Sequence, residues 1–166
     1  MSESDNQIAL FEWAQIKINQ GIYPELEWIY SVPNGGYRSP KTAAVMKKEG
    51  QKAGVPDIHL PINRPLWTGL IFEMKDGGNI PKQNQIDWLI TLANNGRFVG
   101  VCNSFEHAQT LVKRYLDGFC SHEELDIYLK YLEGESHRIK AKRKMFDALN
   151  ELTKHAPDGF RYDLRI

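Results

Sequence analysis

Two stretches, Gly54-Val55-Pro56-Asp57-Ile58-His59-Leu60 and Gly69-Leu70-Ile71-Phe72-Glu73-Met74-Lys75, stand a short loop apart in this chain. Each is a run of β-formers entered from a turn, and residues 63–69 between them read as a loop or hairpin. Side chains alternate along a strand, so Glu73 and Lys75 share one face while Phe72 and Met74 point the other way, into a core. If the two strands pair, Asp57 and Glu73 converge on one point. Taken alone, Glu-x-Lys reads as an exposed ion pair worth well under about 1 kcal/mol. The acid at position 57 gives it context. Two convergent carboxylates are hard oxygen ligands of the kind that suit Mg2+ or Mn2+. A neighbouring ammonium offsets the charge that builds on a phosphorus centre under attack. Phosphodiester hydrolysis uses these parts together.

Outward from this pair, the chain alternates helical and extended patterns. Residues 5–19 place Ile8, Phe11, Ala14 (or Gln15) and Ile18 at helical spacing. Tyr23-Pro24-Glu25-Leu26 breaks that helix, and residues 27–32 read as a first strand. Pro33-Asn34-Gly35-Gly36 forms a turn. Ser39-Pro40 opens a helix, since serine caps free amides and proline fits the first helical position. Gly77-Gly78 turns the chain into a helix over 82–95 with Ile86, Leu89, Ile90 and Ala93 inward. A strand over 97–102 and a helix capped by Ser104 follow. Beyond Gly118 the character changes to two helices. One is entered at Ser121 and carries Leu125, Leu129 and Leu132. The other runs from about 136 to 154, with Ala141, Met145, Ala148 and Leu152 on one stripe. The expected organisation is an α/β core over 1–117, a small mixed sheet flanked by helices, with a helical extension over 118–166.

The 166 residues suit one domain, 42% hydrophobic and 25% charged, and no apolar run is long enough for a membrane-spanning helix. The acidic, polar N-terminus is no signal peptide. Cys102 and Cys120 form no Cys-x-x-Cys, so a reducing, cytoplasmic compartment is expected. Net charge is zero but segregated: residues 37–56 and 137–166 each carry a net +4, and 1–36 and 104–136 each a net −4. The densest basic run is His137-Arg138-Ile139-Lys140-Ala141-Lys142-Arg143-Lys144. Its plain reading is a solvated helix face; the sharper one is a grip on a DNA backbone through Lys140, Lys142, Arg143 and Lys144. Gly-rich phosphate loops, Gly-x-Ser-x-Gly and His-Glu-x-x-His are absent.

Pro-Asp followed by Glu-x-Lys matches the PD-(D/E)xK nuclease signature. Several further features stand in order around it: Tyr23-Pro24-Glu25-Leu26, Pro33-Asn34-Gly35-Gly36 with Arg38, Gly50, Gly54-Val55-Pro56-Asp57, Gln85 with Trp88-Leu89, and Gly96. From about Glu3 to Leu116 the chain resembles the VRR-NUC branch of those nucleases. The resemblance implies a restriction-endonuclease-like fold and a Mg2+-dependent DNA endonuclease, with Mn2+ substituting, that prefers branched DNA such as four-way junctions or flaps and works in some members as a homodimer. It implies Asp57, Glu73 and the Met74 main-chain carbonyl as metal ligands, Lys75 beside the attacking water, and Gln85 orienting the cluster. It also brings Glu3 and Gln7 from the first helix to the site. Gln83 stands as the alternative to Gln85, and Glu12 as the alternative to Glu3. The chain beyond about residue 118 has no counterpart in the family pattern.

Other residues carry two readings. Arg38 after its glycine turn either holds a phosphate or serves the turn, and Asn34 either contacts DNA or stabilises its turn. His59 reads as a strand histidine with a structural hydrogen bond. Trp13, Trp28 and Trp88 are expected in the core, and Trp67, in a polar loop, as a residue to test on DNA. Two rival functions remain: a DNA-binding or assembly module that keeps the fold without catalysis, and a sequence-specific restriction-type enzyme.

Overall fold

The computed structural model describes residues 1–34, 38–77, 79–134, 138–156 and 162. Gly35, Gly36 and Gly78 of the two expected turns, and residues 136–137 of the expected last helix, lie outside the described residues.

Helix α1 (Glu3–Asn19) starts at Ser2, whose hydroxyl accepts from the Asp5 amide while Asp5 accepts from the Ser2 amide. This reciprocal cap, with Glu3 and Asp5 in the first turn, fixes the helix start. The expected apolar face of α1 is rotated rather than lost, since Ala14 is buried and Phe11 and Ile18 pack against the core. Leu10, Trp13 and Ala14 are buried, whereas Ile8 is 54% exposed. The i, i+3, i+4 row of Leu10, Trp13 and Ala14 carries the larger apolar surface, so it faces the core.

The strand expected over 27–32 is also corrected. Pro24–Trp28 forms a 3-10 helix, and only Tyr30–Ser31 pairs, as β1. Proline at the first helical position, followed by Glu25 and Glu27, favours the tight helix over extension. Trp28 is 63% exposed there, outside the core, and Trp88 is half-buried.

Helix α2 (Pro40–Lys48) is capped by the Ser39 hydroxyl and buries none of its residues. Strand β2 (Ile58–Leu60) and strand β3 (Leu70–Met74) form an antiparallel hairpin in the register Ile58 opposite Phe72. Helix α3 (Gln83–Asn94) crosses back, so that β4 (Phe98–Cys102) pairs parallel to β3. The sheet order is β1-β2-β3-β4, mixed, with α1 and α3 packed on β3.

Helices α4 (Phe105–Leu116) and α5 (His122–Glu133) pack on β4 and are capped by Ser104 and Ser121. Gly100 lets them approach, because a Cβ there would lie 2.7 Å from the Leu111 side chain. Helix α6 (Arg138–Thr153) lies along α5. Its buried row is Lys142, Met145, Phe146, Leu149 and Thr153, one position round from the expected Ala141–Met145–Ala148–Leu152 stripe. Phe146, with the largest side chain on the helix, sets that phase.

Trp67 is buried as well. Its indole N–H donates to the Cys120 carbonyl at 2.9 Å and its ring packs edge-on to Phe98, so it is part of the core and not a DNA-facing residue. One hydrophobic cluster runs from Leu10 through the sheet to Tyr128, Phe146 and Leu149.

Candidate functional site

The β2–β3 register dictates the centre. Carried one residue past the Ile58–Phe72 pair, it sets Asp57 opposite Glu73. An Asp57 carboxylate oxygen accepts from the Met74 amide at 3.1 Å, and the Asp57 carbonyl accepts from Val32 at 2.8 Å. Asp57 is therefore held by main chain on both sides. Glu73 is fully buried, and its alternation partner Lys75 reaches back along the same face. The Lys75 ammonium lies 2.5 Å from Glu73 Oε1, 2.8 Å from the Met74 carbonyl and 3.5 Å from Glu3 Oε2. The Gln85 side-chain amide donates to the same Glu73 Oε1, and its oxygen accepts from the Lys82 amide at 2.8 Å.

Glu73 Oε2 has no hydrogen-bond partner among the described residues although it is buried. An unpaired buried carboxylate oxygen is costly. Burial first, and the neighbouring Asp57 carboxylate second, push Glu73 up to about 8, against the downward pull of Lys75. Burial alone would lower Lys75, but its bond to Glu73 and the charges of Glu73, Glu3 and Asp57 hold it above the ordinary lysine value. Lys75 is thus a fixed cation beside two acids. The described residues contain no cluster of three or more His, Cys, Asp or Glu that closes round an ion. Two carboxylates and one carbonyl instead match the sparse, water-completed oxygen set that Mg2+ accepts. The orphaned Glu73 oxygen is the group such an ion would satisfy, so Asp57, Glu73 and the Met74 carbonyl have the chemistry to hold one.

The centre opens onto a groove of about 660 Å3 between α1 and the segment after β1, lined by Glu3, Gln7, Phe11, Glu12, Val32 and Asp57 among others. Glu3 touches Lys75, while Glu12 stands further along this wall and Gln7 between them. Gln83 is turned away, its amide donating to Asp87 at 2.9 Å. Arg38 donates to Gln51 Oε1 and to the Pro33 carbonyl, both at 2.9 Å, and Asn34 donates to the Val55 carbonyl. Both residues brace the loops flanking the groove. His59 bonds the Pro56 carbonyl at 3.1 Å and stacks on Tyr30.

Lys142 does not serve as a DNA contact. It is 4% exposed, and its ammonium donates to the Gly77 and Asn79 carbonyls at 2.9 and 3.1 Å. It clasps the loop that follows Lys75, a role hidden inside a run of cations. The signal was its helical spacing from Met145, Phe146 and Leu149. Lys140, Arg143 and Lys144 remain exposed.

A mixed four-stranded sheet flanked by helices, with an acid at the mouth of β2 and Glu-x-Lys closing β3, defines a restriction-endonuclease-like nuclease fold. The VRR-NUC domain model matches residues 4–106, and the chain belongs to that family of nucleases, for which DNA is the substrate. A solved structure of a VRR-NUC domain protein is 26% identical, with a TM-score of 0.58 over 70% of this chain and 89% of that one. No curated protein sequence matches the chain. No helix among the described residues is long and apolar enough to cross a membrane.

Proposed function

We propose that the protein is a divalent-cation-dependent DNA endonuclease that selects branched or otherwise non-B structures. The observation that carries the metal dependence is the buried, unpartnered Glu73 Oε2 beside Asp57. Asp57, Glu73 and the Met74 carbonyl would hold the ion. When bound, it acidifies water and neutralises phosphate charge. Lys75, kept charged by its carboxylate neighbours, orients the attacking water and stabilises the charge that develops on the phosphate. Gln85 fixes the Glu73 carboxylate so that its free oxygen points one way. In-line attack leaves a 5′-phosphate and a 3′-hydroxyl. Lys140, Arg143 and Lys144 are the exposed cations available to a DNA arm. Paired incision across a four-way junction needs two sites, which a homodimer would supply.

Purified protein is incubated with a labelled four-way junction, a flap and a linear duplex, in Mg2+, Mn2+ or EDTA. Strand breaks on the branched substrates that vanish in EDTA are expected. Asp57→Asn and Glu73→Gln should abolish cleavage while leaving binding intact, and Asp57→Asn should tighten it, because that carboxylate repels phosphate when no cation is present. Lys75→Ala should lower turnover about 10²–10³-fold, the usual loss for one donor aimed at developing charge. Glu73→Gln cleaving at the wild-type rate would sink the site. Binding without metal-dependent breaks would favour the non-catalytic module, and cuts at one short motif in linear duplex the restriction-type enzyme.

A further inference from the structure

On the far side of Gln85 and Asn34 from the acidic groove lies a second cleft, of about 440 Å3. Its charged lining is Arg38, Lys47, Lys52 and Lys82, and no carboxylate lines it. The groove beside it carries Glu3, Glu12 and Asp57 and no cation. Both cavities share Asn34 as a wall, and Gln85, which lines the basic cleft, also donates to Glu73. A polyanion lying in the basic cleft is therefore one side chain away from the catalytic carboxylates.

The cleft is held rigid. Arg38 pins Gln51, the Trp88 indole donates to the Ala53 carbonyl at 3.2 Å, and Asn34 bonds the Val55 carbonyl. Gly54, at φ +83°, sits so close to α3 that a Cβ would come within 2.7 Å of Asn84. The loop carrying Lys52 is thus fastened against the first turn of α3, where Lys82 stands. Lys47, Lys52 and Lys82 make no ion pair among the described residues. Helix α2, which supplies Lys47, buries none of its residues, so packing against the protein does not account for it.

We infer that this cleft is the phosphate-backbone subsite of the nuclease: it takes a phosphodiester of the substrate strand next to the scissile one, with α2 supplying Lys47 to one wall. The inference rests on the DNA-nuclease reading, but its test does not need cleavage. A protein that must attract DNA to an acidic metal site has to place its cations beside that site rather than in it. The two clefts divide the work in that way, and a free phosphate ion would gain little from cations spread over a cavity of this size.

Binding of a fluorescent duplex or junction oligonucleotide is measured in EDTA by anisotropy between 50 and 200 mM KCl. Wild type is compared with K47Q/K52Q/K82Q and with K17Q/K130Q/K154Q, which removes the same charge elsewhere. Each phosphate contact contributes about 0.9 to the slope of log affinity against log salt on duplex DNA. The cleft variant should lose about 1 from that slope and about tenfold in affinity at 100 mM. The control should stay within about twofold. Inorganic phosphate and pyrophosphate should compete only weakly; strong competition would make the cleft a free-anion site. An unchanged slope in the cleft variant, or an equal fall in both variants, overturns the inference. Circular dichroism checks that these exposed substitutions leave the fold intact. Loss of cleavage with the slope difference intact would sink the nuclease reading alone, and metal-dependent cleavage with an unchanged slope would sink the subsite alone.

Discussion

Glu73 is the residue on which the proposed chemistry turns, and its two oxygens have different fates. Oε1 takes Lys75 and Gln85, while Oε2 takes no hydrogen bond from the described residues. Because Gln85 and not Gln83 makes this contact, the two glutamines separate cleanly. Gln85→Ala should lower metal affinity or activity about 10–100-fold, the usual cost of losing a ligand's supporting bond. Gln83→Ala, which removes the bond to Asp87 and not one to Glu73, should cut like wild type in the same assay. The raised Glu73 also couples to stability. It takes up a proton at about 8 in the folded protein against 4.5 ordinarily. Its stabilising contribution is therefore complete below pH 4.5 and is lost as pH climbs toward 8. In EDTA, the Tm advantage of wild type over Glu73→Gln should shrink between pH 5 and 8, and Mg2+ should restore more of it at pH 8 than at pH 5. The neighbourhood of Asp57, Glu73 and Lys75 was legible in the sequence because strand alternation and one hairpin are local rules. The Lys75–Glu3 contact needed the placement of α1, which a spacing along the chain does not contain.

Helix phase was the least legible feature, for one recurring reason. In α1 and α6 the sequence offers more than one apolar row, and tertiary packing chooses the bulkier. Leu10 and Trp13 outweigh Ile8, and Phe146 with Leu149 outweighs Ala141 and Ala148. The displaced α1 row is not wasted, since Ile8, Phe11 and Gln15 line the acidic groove. The segment expected as a strand over 27–32 is shortened by turn chemistry, because Pro24 initiates a tight helix that takes its first two residues and leaves Tyr30–Ser31 to pair. Choosing the α6 row also carried Lys142 inside, where two loop carbonyls depend on its ammonium. Lys142→Met keeps the stem but removes the donor. It should cost about 1–3 kcal/mol in urea melts, since both carbonyls are left without their charged partner. Lys142→Arg should recover part of that loss. Slower cleavage by Lys142→Met at saturating DNA, with binding in EDTA unchanged, would mark the clasp as positioning the loop after Lys75.

The molecule has zero net charge, which hides an acidic groove and a basic cleft side by side, with Asn34 lining both. Its core is likewise continuous across the boundary drawn near Gly118. His107 of α4 bonds the Tyr128 hydroxyl of α5 at 2.8 Å and Asn103 at 3.2 Å. Glu124 of α5, fully buried, accepts from Arg114 at 3.1 Å and from Tyr162 at 2.6 Å. Burial first, and the Lys142 charge second, press His107 down to about 3 from its ordinary 6.5. The unfolded chain therefore takes up a proton that the folded one refuses. Stability should fall as pH drops below 6.5 and go on falling toward 3. In melts from pH 7 to 4, His107→Gln should flatten that decline relative to wild type; an unaltered pH dependence would show that His107 does not drive it. The family match ends at residue 106, yet the loop that follows Lys75 is fastened by residue 142. On the ribosome, then, the stretch that the family model covers emerges before its clasp does, and the Gly77 and Asn79 carbonyls gain the Lys142 ammonium only once α6 has been made.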